Sequence, residues 1–140
     1  MPAKKKPSIA ESHLADAERA LKSARWFEAE RAALASLDAA IDAGLHELAA
    51  EAVLPLQEAR RQRVLMAIDA SGGTPCVIDD VEAELESVDE GVHLLVPHAV
   101  AADARRMRVV ALQTETPMVA VCREPETDAG LVPIVAIGTS

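Results

Sequence analysis

The first half of the chain carries apolar residues at helical spacing. Residues 8–11 read Ser-Ile-Ala-Glu, a capping box in which the Ser and Glu side chains each accept a hydrogen bond from a free backbone N–H at a helix start. This motif predicts a first helix to about residue 22. A second is predicted over 25–43, before Gly44, because glycine readily takes the left-handed conformation that ends helices.

A third helix is predicted from about residue 45 to 70, with Arg60, Arg61 and Arg63 in its last turns, where cations suit the negative end of the helix dipole. Pro55 lies inside it. Because proline has no backbone N–H to donate, we expect a kink or a break near residues 53–54.

The pattern changes after residues 71–75, Ser-Gly-Gly-Thr-Pro. Four short Val-rich runs follow, at 75–78, 92–96, 118–122 and 131–137. Apolar runs without alternation are typical of parallel strands covered on both faces. A helix predicted over 99–114 would join the second and third runs in a βαβ unit. Pro133 cannot donate to a ladder, so the fourth run is predicted to be an edge strand.

These elements predict an α+β fold. A basic disordered tail (1–7) precedes a three-helix hairpin bundle (8–70), which a Gly/Pro linker (71–75) joins to a small α/β domain (76–140) with a mostly parallel four-stranded sheet. We expect the bundle to pack on the sheet. Residues 81–88 fit either a half-exposed strand or a short helix, and the strand order stays open.

Residues 10–43 resemble a tetratricopeptide helical hairpin, in which small and aromatic residues line the crossing of two helices. The matching positions are Ala17, Ala24, Trp26, Ala29, Ala33 and Leu37. His13 stands where an aromatic anchor is usual, and no second complete repeat follows. The resemblance implies a protein-interaction scaffold. Because such solenoids need about three repeats, this hairpin must be supported by the sheet or by a second copy of the chain.

The side chains that suit a protein partner lie in the helical half. Trp26 and Phe27 are the only Trp and Phe of the chain, and Arg60, Arg61 and Arg63 form a basic cluster. We treat these five residues as the candidate interaction residues. The apolar content is mostly Ala and Val, which bury little area each. An oligomer would therefore add stability.

The charge of the chain limits its partners. The formal net charge is −9, and Lys4, Lys5 and Lys6 belong to the tail, so the folded part is more acidic still. Phosphate backbones and anionic membrane surfaces repel such a protein, and neither nucleic acid nor membrane is an expected partner. No apolar run approaches the length of a membrane span. Cys76 and Cys122 are predicted to be buried free thiols, which favours the cytoplasm.

A candidate ligand site follows from the parallel strands, which place ligands at their carboxyl ends, near a topological switch point. Residues at these ends are Asp79, Asp80, His98, Arg123 and Glu124. The helix after His98 would direct its N-terminal N–H groups to the same edge and favour an anion. No metal or cofactor motif is present.

The sequence therefore predicts a non-catalytic protein-interaction or assembly module that forms homo-oligomers. The alternative is a small-molecule or anion-binding or catalytic α/β domain with its site at the strand ends.

Overall fold

The computed structural model describes residues 6–136, which form an α+β fold with five helices and four strands. Residues 1–5 of the predicted basic tail, and the last residue of the fourth Val-rich run, lie outside this range. No helix within residues 6–136 combines the length and hydropathy needed to cross a bilayer. The described chain divides into two compact units between Arg63 and Val64. The predicted division at 71–75 stays a prediction.

The first unit contains the three predicted helices, packed together. They are α1 (Ile9–Lys22), α2 (Trp26–Asp42) and α3 (His46–Ser71), of which α3 continues into the second unit. The predicted capping box is present: Ser8 Oγ accepts from the Glu11 N–H at 3.2 Å, and the Glu11 carboxylate accepts from the Ser8 N–H at 2.6 Å. Gly44, just after α2, has the predicted left-handed conformation, with φ of 69°.

Small side chains let the three helices approach closely. Two buried clusters contain one residue from each of α1, α2 and α3: Ala17, Ala33 and Leu56 in the first, and Ala20, Ala29 and Ala59 in the second. The buried Ser36 hydroxyl of α2 also donates to the Ala10 carbonyl oxygen of α1, at 2.8 Å. Because alanine buries little apolar area, this core gives each contact only a modest hydrophobic stabilisation.

The expectations for the third helix need two corrections. Pro55 lies inside a helix that runs unbroken from His46 to Ser71, so the expected break is absent. The helix ends within one residue of its predicted end, but its last turn holds no basic residue, so the predicted interaction of the three arginines with the helix dipole was wrong. The three arginines instead form ion pairs with carboxylates of α2 and α3.

A buried carboxylate joins α2 to α3. Glu30 is 6% exposed, and its Oε1 accepts from Arg60 Nε at 3.1 Å. Its Oε2 accepts from Nη1 of Arg63, which is 8% exposed. The Arg63 guanidinium also lies over the Phe27 ring, 4.3 Å from its centroid, a cation–π contact. Burial lowers the pKa of Arg60 despite this ion pair.

The second unit is built on a four-stranded sheet with the order β1-β2-β3-β4. The strands are β1 (Cys76–Ile78), β2 (Gly91–Leu95), β3 (Met118–Arg123) and β4 (Ile134–Ala136). The first three are parallel, and β4 pairs antiparallel with β3 at the edge, as Pro133 predicted. Helix α5 (Ala101–Gln113) joins β2 to β3 in the predicted βαβ unit. The ambiguous segment forms the short helix α4 (Val81–Glu84).

One face of this sheet forms the core of the second unit. Burial alternates along β2 and β3, where every second side chain is buried and the others are half-buried. Ile78, Leu95 and Cys122 lie side by side across the first three strands. They pack with Met107 and the buried alanines of α5 in a single apolar cluster. Helix α5 and the other residues of this cluster therefore cover one face of the sheet.

We predict that Glu30→Gln destabilises the protein by about 3 kcal/mol, because it leaves two guanidinium groups of α3 without their buried carboxylate. The control is Glu58→Gln, which removes a more exposed carboxylate that pairs with Arg61 on the same helix and should cost much less, because exposed ion pairs contribute little. Urea unfolding measures both changes. Equal losses in the two variants would contradict the role of Glu30.

Candidate functional site

The predicted ligand site lies at one edge of the sheet. The register places Ile78, Leu95 and Cys122 level with one another, so the residues that follow β1 and β2 and those that end β3 occupy the same edge. These residues are Asp79, Asp80, His98, Arg123 and Glu124. Their shared position agrees with the parallel arrangement. The strand order, however, follows the chain without a reversal, so the sheet has no topological switch point.

The five side chains do not form a connected group. No hydrogen bond or ion pair joins any two of them within residues 6–136. Asp80 caps α4, where its Oδ1 accepts from the Glu82 N–H at 3.1 Å. Arg123 is half-buried and follows Cys122 on the strand, so the two side chains lie on opposite faces of the sheet. The remaining three, Asp79, His98 and Glu124, are exposed.

The charge at this edge is negative. At the start of α5, Asp103 Oδ2 accepts from the Val100 N–H at 2.9 Å, so a carboxylate already occupies the helix N-terminus that was expected to favour an anion. Burial raises the pKa of the Cys122 thiol, and the charges of Glu124 and Asp103 raise it further. The carboxylates of Glu124 and Asp103, the smaller causes of this shift after burial, would also repel a bound anion.

The candidate interaction residues lie in the first unit, where several of them contact other residues of the same unit. Phe27 and Arg63 are in contact, and Arg60 and Arg63 both bind Glu30. Trp26 and Phe27 are half-buried at the start of α2. Arg61 is exposed and pairs with Glu58, which lowers the pKa of that carboxyl. Of the three arginines, Arg61 alone faces solvent.

An apolar surface that the sequence interpretation missed lies on α3. Val64, Leu65, Met66 and Ile68 are each 40–47% exposed, whereas Ala67 between them is fully buried. We call these four residues the α3 patch. A helix turns about 100° per residue, so Val64, Leu65 and Ile68 share one side, away from the buried stripe that contains Arg63 and Ala67. The sequence does contain a signal for this surface: residues 64–68 are all apolar, which is more than one buried side of a helix requires.

The two thiols differ in accessibility. Cys122 is buried as predicted, but Cys76 is exposed, so that part of the prediction was wrong. The reason is its position: β1 is a three-residue edge strand, and both Cys76 and Val77 are exposed. Within the described residues, no three His, Cys, Asp or Glu side chains are arranged to hold a metal ion.

No protein-family model matches the chain, and no curated protein or solved structure is significantly similar to it. The resemblance of residues 10–43 to a tetratricopeptide hairpin therefore rests on the spacing of small and aromatic residues in the sequence alone. Arguments about function rest on the surfaces of this chain alone.

We predict that one thiol of the native, reduced protein reacts rapidly with Ellman's reagent and that the other reacts only after unfolding. The fast thiol is that of Cys76, because it is exposed while Cys122 is enclosed by the core of the second unit. The Cys76→Ser variant should lose the fast phase and keep the slow one. Two fast thiols in the wild type would contradict the packing around Cys122.

We also predict that stability falls in mild alkali through Cys122. An unfolded thiol loses its proton near its ordinary pKa of about 9, whereas the folded one keeps it, so above that pH the unfolded state binds fewer protons. The free energy of unfolding should then fall by at most about 1.4 kcal/mol per pH unit. Urea unfolding in reductant at pH 8 to 10.5 measures this slope, which Cys122→Ala should reduce. Equal slopes for the wild type and Cys122→Ala would contradict the prediction.

Proposed function

We propose that the chain is a non-catalytic, cytoplasmic assembly module that associates with a second copy of itself through the α3 patch. The observation that carries this proposal is the exposure of Val64, Leu65, Met66 and Ile68 within five consecutive residues of one helix. Scattered apolar residues are normal on a protein surface, whereas neighbours on one side of a helix, here Val64, Leu65 and Ile68, support an interaction site.

The core composition favours a second copy as the occupant. Within residues 6–59, most of the buried apolar residues are alanines, joined by Leu14 and Leu56. Burial of small side chains stabilises a monomer only modestly. Pairing two α3 patches along the side shared by Val64, Leu65 and Ile68 would remove six large side chains from water at once. A twofold arrangement needs only one self-complementary surface, which a compact apolar patch provides.

The charge of the chain opposes this association and therefore predicts how it behaves. Two copies with a net charge of −9 repel each other at long range. None of the four patch residues is charged, so contact between patches adds no ion pair of its own. Self-association should consequently strengthen when salt screens the repulsion.

The alternative, a small-molecule or anion-binding site at the strand ends, receives less support. No hydrogen bond or ion pair joins its candidate residues, and the carboxylates of Asp103 and Glu124 add negative charge at this edge. An assembly role needs only the exposed apolar surface that is present.

We predict that the double variant Leu65→Glu/Ile68→Glu is monomeric under conditions in which the wild type is a dimer, because four carboxylates would then meet in the interface. Size-exclusion chromatography with light scattering measures the mass. The matched control is Ala70→Glu, which adds a carboxylate at an exposed position on the other side of the same helix end. A wild type that is monomeric throughout, or a control that dissociates equally, would contradict the proposal.

A further inference from the structure

A groove in the first unit lies between α1 and the start of α3. Its volume is about 750 Å³, which lies within the usual range of ligand-binding clefts in proteins. Its floor contains three leucines: Leu14 of α1, which is buried, Leu48 of α3, which is half-buried, and Leu45 of the α2–α3 turn, which is 41% exposed. An apolar floor of this kind accepts the apolar face of a partner.

The rim of this groove is acidic. Glu18 of α1 and Glu47 and Glu51 of α3 line it, and no Lys or Arg does. All three carboxylates are exposed, and none of them forms an ion pair with another described residue. By contrast, Asp16 and Glu28 of the same unit pair with Arg19 and Arg25. The groove therefore combines carboxylates that lack an ion pair with an apolar floor.

The spacing of these residues concentrates the charge. Glu47 and Glu51 are four residues apart on α3, so they lie on one side of the helix, where like charges repel. Leu48 lies beside them, three residues before Glu51. On α1, Leu14 and Glu18 are likewise four residues apart. A ligand with cations flanking an apolar ridge would relieve the repulsion and cover the leucines in one step.

We propose that this groove binds a cationic amphipathic peptide segment of a protein partner, with leucine-type side chains on the floor and Lys or Arg side chains against Glu18, Glu47 and Glu51. An amphipathic helix presents apolar side chains at intervals of three and four residues, and hydrophobic grooves bind helices through these side chains. Because the rim is negatively charged, the partner segment must carry positive charge. This site shares no residue with the α3 patch and goes beyond self-association.

The test uses the full-length protein and a fluorescently labelled 15-residue helical peptide of leucine and lysine, with leucine on one face. Fluorescence anisotropy gives the Kd. We expect Glu18→Gln/Glu51→Gln to weaken binding about tenfold, because two charge contacts are lost. The matched control, Glu86→Gln/Glu126→Gln, removes the same charge from exposed positions of the second unit and should leave the Kd within about twofold.

Two further measurements separate groove binding from general attraction to an acidic protein. Leu45→Ser, at an exposed floor position, should weaken the leucine–lysine peptide several-fold. A peptide with serine in place of leucine, and spermine, should bind far more weakly than the leucine–lysine peptide. If they bind equally well, or if both Glu→Gln pairs have the same effect, charge alone explains the binding and the proposal is wrong. Absence of peptide binding to the wild type would also overturn it.

Failure of this proposal can be distinguished from failure of the proposed function. Leu65→Glu/Ile68→Glu alters the α3 patch without touching the groove, so it should bind the peptide with an unchanged Kd. If that variant loses the peptide while Glu18→Gln/Glu51→Gln keeps it, the peptide occupies the α3 patch and the groove assignment is wrong.

Discussion

The buried carboxylate of Glu30 is the constraint on which the helical unit depends. It accepts hydrogen bonds from Arg60 and Arg63, which approach it from α3. Removing these charges from water costs free energy, so the ion pairs are not a large net source of stability. Their effect is geometric. The core is made largely of alanines, and two guanidinium groups three residues apart on α3 converge on one carboxylate of α2, which ties the two helices together at that point.

This use of charge determines which surfaces remain available. Arg63 is buried between Glu30 and Phe27, so the basic cluster of the sequence contributes little to the outside of the molecule. The N-terminal part of α3 instead presents Glu47 and Glu51 beside leucines, and its C-terminal part presents the α3 patch. One long helix thus supplies both an acidic groove and an apolar surface. These are the two features from which we derive self-association and peptide binding.

Local sequence signals predicted the elements well because their causes are local. The capping box at Ser8 and the helix end at Gly44 depend on residues within one turn, and the Val-rich runs identify the strands without reference to the rest of the fold. Pro133 likewise marked an edge strand. An expectation failed where the rest of the fold decides: Cys76 is exposed because its strand ends the sheet. The break expected at Pro55 is also absent from α3.

The surfaces for which we propose a function were harder to predict for the same reason. The ion pairs of Glu30 join residues 30 and 33 positions apart, and no local pattern reports them. The groove brings Leu14 and Glu18 next to residues of α3, which only the folded bundle does. The strand-end residues were placed at the correct edge, but their lack of mutual contacts and the negative field from Asp103 emerge only from the packing.

The central claim, that the chain is an assembly module held together by an apolar surface, is tested most directly by sedimentation velocity of the wild type at several concentrations in low and high salt. The account predicts a monomer–dimer equilibrium in which the dimer fraction rises with concentration and rises again in high salt, because salt screens the repulsion between acidic copies while apolar contact persists. A single monomeric species at every concentration and salt level would contradict it.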